Sequence, residues 1–289
     1  LLLSSVLLFS IELDISSLLS YSVYCDHSVL VTKKGKARGI GDNSGGRIHG
    51  SLPKEKISKW TEIEIKDNQE NQYYIQSAVC GLYYTLYLVK TNNESDETKL
   101  AYVFYNKNGG MPLFLDTGDK FPVALFGGYK ISASINNDGS VSIVNKTVFD
   151  STTNSPLIIM LPNKERAINV ACCDSFIVVL SSNGRTYSNG ENVSVFEEVE
   201  SLKGIKIVQI SGTFDFCLAV TDDERVFRCE TGQNGIESFV EISSLKNEKV
   251  FAVYGGYNHS LFQTKDGKII ASGNNEYGQL LNKKGPVID

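Results

Sequence analysis

A short pattern recurs along this chain and constrains its fold more than any other feature. In the clearest copy, residues 259–264 alternate like a strand with one buried face, and the turn Lys265-Asp266-Gly267 follows. Glycine supplies the positive φ that a tight hairpin requires. An early copy repeats the arrangement, because His27 precedes Gly35 by the same 8 residues that separate His259 from Gly267.

Four weaker copies lie between these two. We call the position of His27 and His259 the anchor; its six occurrences are residues 27, 84, 131, 176, 216 and 259, spaced by 57, 47, 45, 40 and 43 residues. The connecting segments repeat as well, since residues 196–203 align with residues 239–246 at an offset of 43. Several strands in a unit of this length are typical of a propeller blade, which is stable only when it stacks on its neighbours. The sequence therefore predicts an all-β chain folded as a β-propeller, with six repeats visible.

Glycines hold fixed places in the repeat, where turns are tight or neighbouring blades approach closely. Two middle copies lose them, because Glu224 replaces the hairpin glycine and Asn145 stands at the place of Gly273. We expect the turns at these two positions to be remodelled. The residues predicted to serve the repeat structure are His27, Ser28, Gly35, Gly41, Gly46, Gly128, Gly139, Gly184, Gly256, His259, Ser260, Gly267, Gly273 and Gly278.

The copy from Gly255 to Leu280 resembles the repeat of the RCC1 (regulator of chromosome condensation) family. Ser272 departs from the family pattern, which has an aromatic residue there, and Leu281 replaces its final glycine. The resemblance implies a propeller that usually has seven blades. It also implies that residues 10–289 form a single RCC1-like β-propeller domain. The matching residues are Gly256, His259, Ser260, Gly267, Gly273, Asn275, Gly278, Gln279 and Leu280.

Residues 1–9, LLLSSVLLF, form an apolar leader that the repeat does not explain. The run has neither a basic region nor a clear cleavage site, and it is too short to span a bilayer. We expect a buried strand or the edge of a fragment, with a secretory signal as the alternative.

No catalytic, metal-binding or cofactor-binding constellation is visible in the sequence. His27 and His259 occupy equivalent repeat positions, which favours a structural role, and zinc would need about four convergent ligands. We therefore expect neither an enzyme active site nor a cofactor. Cys80, Cys172 and Cys217 also stand at repeat positions, so we expect reduced, buried thiols, with a disulfide or a reactive cysteine as the alternative. Reduced thiols favour a cytoplasmic or nuclear location.

The charge of the chain bears on its partners. A net charge of −5 argues against a nucleic-acid surface, and no membrane span is expected. The first repeat is nevertheless basic and holds the only tryptophan. We predict a partner-docking rim there, formed by Arg38, Lys54, Lys56 and Trp60, with a solvated edge as the alternative.

The RCC1 resemblance implies a function in binding proteins. Our leading hypothesis is a non-enzymatic platform for protein–protein interaction. The alternative is a guanine-nucleotide exchange factor for a small GTPase, the activity of the founding type of the family, although no wedge residue of that type maps onto this chain. An enzyme on a propeller face is the third hypothesis, and it lacks a convergent set of acid, base or metal ligands.

Overall fold

The computed structural model describes residues 18–24, 26–49, 52, 55–91, 97–104, 112–145, 155–189, 195–232, 235–236, 238–275 and 280. The predicted leader at residues 1–9 lies outside these residues, as do Lys54 and Gly278. In the described part, no helix is long and apolar enough to cross a membrane.

The described strands form six antiparallel sheets. The first sheet contains β1 (Leu18–Tyr24), β2 (His27–Thr32), β3 (Ala37–Asp42) and β4 (Lys56–Ile63). The second contains β5 (Ile65–Lys66), β6 (Gln72–Cys80), β7 (Tyr84–Thr91), β8 (Thr98–Phe104) and β9 (Leu113–Leu115). The third contains β10 (Pro122–Gly127), β11 (Ile131–Asn136), β12 (Val141–Asn145) and β13 (Leu157–Ile159).

The remaining three sheets follow the same order along the chain. The fourth contains β14 (Ala167–Cys172), β15 (Ile177–Ser181), β16 (Thr186–Ser188) and β17 (Glu197–Glu198). The fifth contains β18 (Ile207–Gly212), β19 (Phe216–Thr221), β20 (Val226–Gly232), β21 (Gly235–Ile236) and β22 (Val240–Glu241). The sixth contains β23 (Val250–Gly255), β24 (His259–Thr264) and β25 (Ile269–Gly273). Single-turn 3-10 helices lie at Ser44–Gly46, Pro162–Lys164, Glu200–Leu202 and Ser243–Leu245.

The predicted anchors coincide with the starts of strands. Five strands begin at an anchor residue, and β15 begins one residue after Phe176. We call the strand before each anchor the axial strand; the six are β1, β6, β10, β14, β18 and β23. Axial strands of successive sheets contact one another, so the sheets follow each other around a common axis.

Hydrogen bonds join neighbouring axial strands. The backbone N–H of Cys80 donates to Ser22 Oγ at 2.9 Å, and that of Gly255 donates to Ser211 Oγ at 2.9 Å. The side-chain amide of Gln209 exchanges two bonds with the backbone of Val253, at 2.9 and 3.0 Å. These contacts arrange the sheets as the blades of a β-propeller, and the predicted fold class is confirmed.

The core lies between blades, which explains the buried faces of the anchor strands. In β15, Ile177 and Val179 pack into the cluster shared with the third blade, whereas Val178 and Leu180 pack into the cluster shared with the fifth. Because successive side chains of a strand point to opposite faces, both faces of this strand are apolar. Burying each such side chain stabilises the fold by about 1.5–3 kcal/mol.

The repeat also gives the propeller two different ends. The end that carries the loops between axial and anchor strands, such as residues 128–130 and 256–258, is called the loop end. We call the turn end the opposite one, which carries the hairpin turns after the anchor strands, such as residues 182–184 and 265–267. Because the strands of one blade are antiparallel, these two sets of connections lie at opposite ends of the strands.

The expected remodelling of the Glu224 turn is wrong. Glu224 adopts φ +72°, close to the +79° of Gly184 at the equivalent place. Its N–H donates to Thr221 O at 3.1 Å, as the N–H of Gly184 donates to Ser181 O at 3.0 Å. The turn therefore keeps its geometry. The left-handed backbone at Glu224 is less favourable in free energy than it would be at glycine. At the other position, Asn145 pairs with Ile131 in the register in which Gly273 pairs with His259.

The contact between blades does change at the Glu224 turn. The carbonyl of Gly184 accepts a hydrogen bond of 2.9 Å from Ile207 N–H in the next blade. At the Glu224 junction, the corresponding N–H of Val250 donates instead to Glu248 O at 3.0 Å. The substitution thus alters the junction and leaves the turn intact.

Candidate functional site

The loops at the loop end place one repeat position around the axis. This position lies two residues before the anchor and is occupied by Leu82, Tyr129, Asp174, Phe214 and Tyr257. Backbone bonds connect its members: Leu82 N–H donates to Tyr129 O at 3.0 Å, Asp174 N–H to Phe214 O at 3.1 Å, and Phe214 N–H to Tyr257 O at 3.1 Å. Loops joined in this way hold their side chains in fixed relative positions.

Three aromatic rings of this set form a cluster, which we call the loop-end cluster. The ring centroids of Tyr129 and Phe214 are 4.5 Å apart in an edge-to-face arrangement. The ring of Tyr257 lies 4.8 Å from that of Phe214 and 5.6 Å from that of Tyr129. Such pairs contribute about 0.5–1.5 kcal/mol beyond the area that they bury. The rings remain partly exposed, with Tyr257 the most accessible at 37%.

The backbone next to these loops is packed without space for side chains. A Cβ atom on Gly128 would lie 2.4 Å from Cys172 O, and one on Gly212 would lie 2.7 Å from the same oxygen. A Cβ on Gly255 would lie 2.2 Å from Gly212 O. Glycine is therefore required where these axial strands end, and the loop-end cluster rests on closely packed backbone.

Charged groups border the cluster. Lys130 Nζ lies 2.8 Å from a carboxylate oxygen of Asp174 and 5.1 Å from the ring centroid of Tyr129. On the neighbouring blades, the guanidinium of Arg47 lies 5.5 Å from the centroid of Tyr83, a ring that is 44% exposed. Cations over aromatic faces are favourable and frequent in recognition surfaces.

Arg47 is the centre of a buried polar network between the first two blades. Its side chain is within 3.2 Å of Asp42 and donates to Leu82 O at 3.1 Å. Burial opposes ionisation of Asp42, but hydrogen bonds from Ser44 and the charge of Arg47 prevail and lower the pKa of Asp42. The network fixes the loop of the first blade against the loop of the second.

Two histidines beside this network are buried and neutral. His27 Nε2 lies 3.0 Å from Thr85 Oγ1, and Thr85 donates in turn to Arg47 O at 2.8 Å. Burial, assisted by the charge of Arg47, lowers the pKa of His27 to about 4. Burial likewise lowers the pKa of His49 to about 4. These side chains pack the junction between blades, where desolvation disfavours their charged forms.

The predicted repeat residues occupy equivalent places in the first and last blades. His27 pairs with Gly41 and His259 pairs with Gly273 in the strand register. Both glycines have φ near +100°, and a Cβ on either would lie within 2.4 Å of a backbone oxygen. Ser28 and Ser260 are buried. Positive φ also occurs at the predicted glycines Gly35, Gly46, Gly139, Gly184 and Gly267, while Gly128 and Gly256 stand in the loops of the loop end.

The predicted docking rim of the first blade is spread along its outer strands. Arg38 and Lys56 are exposed and Trp60 is half-buried. In the pairing of β3 with β4, Arg38 lies opposite Glu62 and Lys56 lies opposite Asp42, so the two basic residues are at opposite ends of the strand pair. The described members of the rim therefore do not converge on one point, because Lys56 lies toward the loop end and Arg38 toward the turn end.

Sequence reasoning missed the loop-end cluster. Tyr129 and Tyr257 lie in the aligned segments Gly-Gly-Tyr-Lys and Gly-Gly-Tyr-Asn, and Phe214 occupies the same repeat position. The signal was an aromatic residue recurring two places before the anchor. Among the described residues, no group of three or more His, Cys, Asp or Glu could hold a metal ion. The five described cysteines are free and buried.

Comparison with known proteins identifies the repeat and the fold. Residues 252–279 match the regulator of chromosome condensation (RCC1) repeat. No curated protein matches the chain in sequence. Human WBSCR16 is similar in structure, with a TM-score of 0.71 and 16% identity over 92% of this chain and 78% of that protein.

Two structures of yeast RCC1 (Prp20) are also similar. One, in complex with Kap60, gives a TM-score of 0.68 at 14% identity and covers 95% of this chain and 74% of that one. The other, from Saccharomyces cerevisiae and described with its binding to Gsp1p and histones, gives 0.69 at 14% identity and covers 96% and 76%. The predicted RCC1-type repeat and the RCC1-like propeller fold are thereby confirmed.

Proposed function

We propose that this RCC1-repeat propeller is a non-enzymatic platform that binds a protein partner at the loop end of its axis. The observation that carries the proposal is the loop-end cluster of Tyr129, Phe214 and Tyr257, three partly exposed rings in mutual contact. In this proposal residues 10–289 act as one domain. The cytoplasmic or nuclear location stays a prediction.

The chemistry of the cluster suits a protein interface. Binding energy in such interfaces is concentrated in a few central aromatic and arginine side chains. The cluster supplies aromatic rings at the centre, and Lys130 and Asp174 lie at its border. A polar border around an apolar centre is the usual anatomy of a protein interface.

The rigidity of the loops supports the same conclusion. Each backbone bond between loops removes freedom that a flexible surface would lose on binding. Tyr84 adds a further tie, because its buried hydroxyl lies 3.0 Å from the carbonyl oxygens of Gly128 and Ile131 in the next blade. A preorganised surface binds at a lower entropic cost.

Quantitative affinity capture tests the proposal. We expect Phe214→Ser and Tyr257→Ser to weaken partner recovery by about tenfold or more, because truncation of a central aromatic anchor typically costs 1–2 kcal/mol or more. Val240→Ser is the control, since Val240 is 66% exposed on an outer strand of the fifth blade. Equal recovery by all three folded variants would contradict the proposal.

Exchange of guanine nucleotide on a small GTPase is the second candidate. It is supported by the shared fold with yeast RCC1 (Prp20), whose structure is described with its binding to Gsp1p. Release of a fluorescent guanine nucleotide from a panel of small GTPases, with and without this chain, tests it. Acceleration for one GTPase, abolished by Tyr257→Ser, would establish exchange at the loop end.

The rim of the first blade remains a separate proposal for a partner contact. Arg38 and Lys56 are exposed, and Arg38→Glu should weaken recovery only of partners that contact the outer strands. Unchanged recovery of every partner would assign Arg38 to a solvated edge.

A further inference from the structure

A β-bulge recurs at the turn end of all six axial strands. The strand register shifts at one residue, which lies eight positions before the anchor and has no partner on the neighbouring strand. We call these residues the bulge ring. They are Leu19, Gln76, Val123, Ile168, Val208 and Phe251.

The bulge ring is apolar and exposed. Five of its members are large apolar residues, and their side chains are 43–56% exposed. The described chain has 13 exposed large apolar residues, so a single repeat position holds five of them. Single exposed apolar residues are ordinary on a protein surface, but five of them recur at one repeat position at the same end of the axis.

The position of the ring follows from the fold. Axial strands of successive blades contact one another, and hydrogen bonds such as that of Gln209 with Val253 hold them side by side. Their loop ends are packed so tightly that only glycine fits at Gly128, Gly212 and Gly255. At the turn ends of five axial strands the bulge residue is an exposed apolar side chain, and in the second blade it is Gln76. The axial strands thus pack backbone against backbone at the loop end and carry exposed apolar side chains at the turn end.

Basic residues border the ring on three consecutive blades. The position two residues before the bulge is Arg166, Lys206 and Lys249 in the fourth, fifth and sixth blades, and all three are exposed. Lys206 lies 3.6 Å from Asp222. Arg166 donates to Asn137 O at 2.8 Å, and neither Arg166 nor Lys249 has an ion pair with a described residue.

Several carboxylates of the turn end pair with cations outside this border. Glu165 pairs with Arg185, Asp138 with Lys120, Glu248 with Lys268 and Glu224 with Lys265. Arg166 and Lys249 on the border of the bulge ring therefore carry positive charge that no ion pair with a described residue neutralises, whereas Lys206 pairs with Asp222. A ligand that supplies carboxylates would complement it.

We propose that the turn end of the axis is a second docking site, which binds an acidic segment of a partner protein. Apolar side chains of that segment insert among Val208, Ile168, Phe251 and their neighbours, and its carboxylates meet Arg166, Lys206 and Lys249. The site is independent of the loop-end cluster, which lies at the opposite end of the axial strands.

Fluorescence anisotropy with a labelled peptide of alternating glutamate and leucine tests this site. We expect saturable binding that Phe251→Asp and Val208→Asp weaken by about tenfold or more, since each places a carboxylate in the apolar centre. Lys249→Glu should weaken binding several-fold and reduce its dependence on salt. Val240→Asp, on an outer strand, should leave the affinity unchanged.

Peptide controls and a competitor complete the experiment. Peptides with serine in place of leucine, or lysine in place of glutamate, should not bind. Thermal unfolding should show each variant folded, as expected for exposed positions. Four results would overturn the proposal: no binding by the wild-type chain, equal loss with Val240→Asp, equal binding of the lysine peptide, or displacement by a single-stranded oligonucleotide at lower concentration than by unlabelled peptide.

Discussion

The two ends of the axis are made from the same six strands, yet they have opposite properties. At the loop end, glycines bring neighbouring backbones into direct contact, and three aromatic rings pack edge-to-face and tilted nearby. At the turn end, bulges turn apolar side chains outward, and ion pairs such as Lys120 with Asp138 surround them. Neighbouring backbones are in direct contact at the loop end, whereas apolar side chains are exposed at the turn end.

The difference shows how little sequence is needed to distinguish the ends of a repeat. A small residue at one position allows the axial strands to meet, and an extra residue at another position turns a side chain out of the sheet. The register shift occurs in all six described blades, whereas the glycines that bring axial backbones into contact are Gly128, Gly212 and Gly255. Changes at single positions should therefore affect one end and spare the other.

The largest change in stability is expected where a side chain is added to the closely packed backbone of the loop end. Gly128→Ala places a Cβ 2.4 Å from Cys172 O, a backbone atom that cannot move aside, and should lower the free energy of unfolding by about 3 kcal/mol. Urea denaturation measures the loss. Gly204→Ala is the control, because its Cβ has open space and only its φ of +79° costs about 1 kcal/mol. Equal losses would show that the axial strands do not meet as described.

The two ends should lose stability in different pH ranges as the solution is acidified. Burial holds the pKa of His27 and of His49 at about 4, below their unfolded value of 6.5. The unfolded chain binds these protons more readily, so each histidine should lower the stability by up to about 3 kcal/mol as the pH falls from 6.5 to 4. The free energy of unfolding as a function of pH measures this slope, and His27→Gln should reduce it.

The turn end should respond at lower pH. Although burial opposes ionisation, hydrogen bonds from Ser140 and Lys120 lower the pKa of Asp138 from 3.8 to about 2. A carboxylate of this kind stabilises the fold above its unfolded pKa, and the contribution is lost as the pH falls from 3.8 toward 2. Asp138→Asn should therefore change the profile only below about pH 4. A change between pH 4 and 6.5 would contradict this assignment.

A smaller effect is expected at the junction of the fifth and sixth blades. Glu224→Gly removes a left-handed glutamate, which should raise the free energy of unfolding by up to about 1 kcal/mol. The loss of its exposed ion pair with Lys265 offsets part of this gain. The reverse change, Gly184→Glu, should destabilise the preceding junction, where a Cβ would lie 2.8 Å from Lys206 Cγ. Destabilisation by Glu224→Gly would show that the junction depends on the glutamate side chain.

The sequence predicted the repeat more accurately than the site. Anchors such as Ile131 and Phe216 mark the starts of strands, because an eight-residue spacing from strand start to turn is a local feature of the sequence. The Glu224 turn was mispredicted because its strand pairing imposes the left-handed backbone on a residue that does not prefer it. Local preference alone could not show this.

The site was harder to predict because it depends on distances between blades. Tyr129 and Tyr257 lie 128 residues apart, and nothing local in the sequence shows that their rings meet. Arg38 and Lys56 are close in sequence, but antiparallel pairing of β3 and β4 separates them. Tyr129 and Tyr257 are close in space because they share a repeat position. Arg38 and Lys56 are far apart because of the direction of their strands.

Site-specific photo-cross-linking tests the central claim that the loop end binds a protein partner. A photoreactive phenylalanine replaces Tyr257 in one variant and Val240 in another, and both are irradiated in cells. The account predicts a discrete cross-linked protein from position 257 and none from position 240. Two results would contradict binding at the loop end. One is a discrete adduct from position 240 alone, and the other is the absence of an adduct from both positions in folded protein.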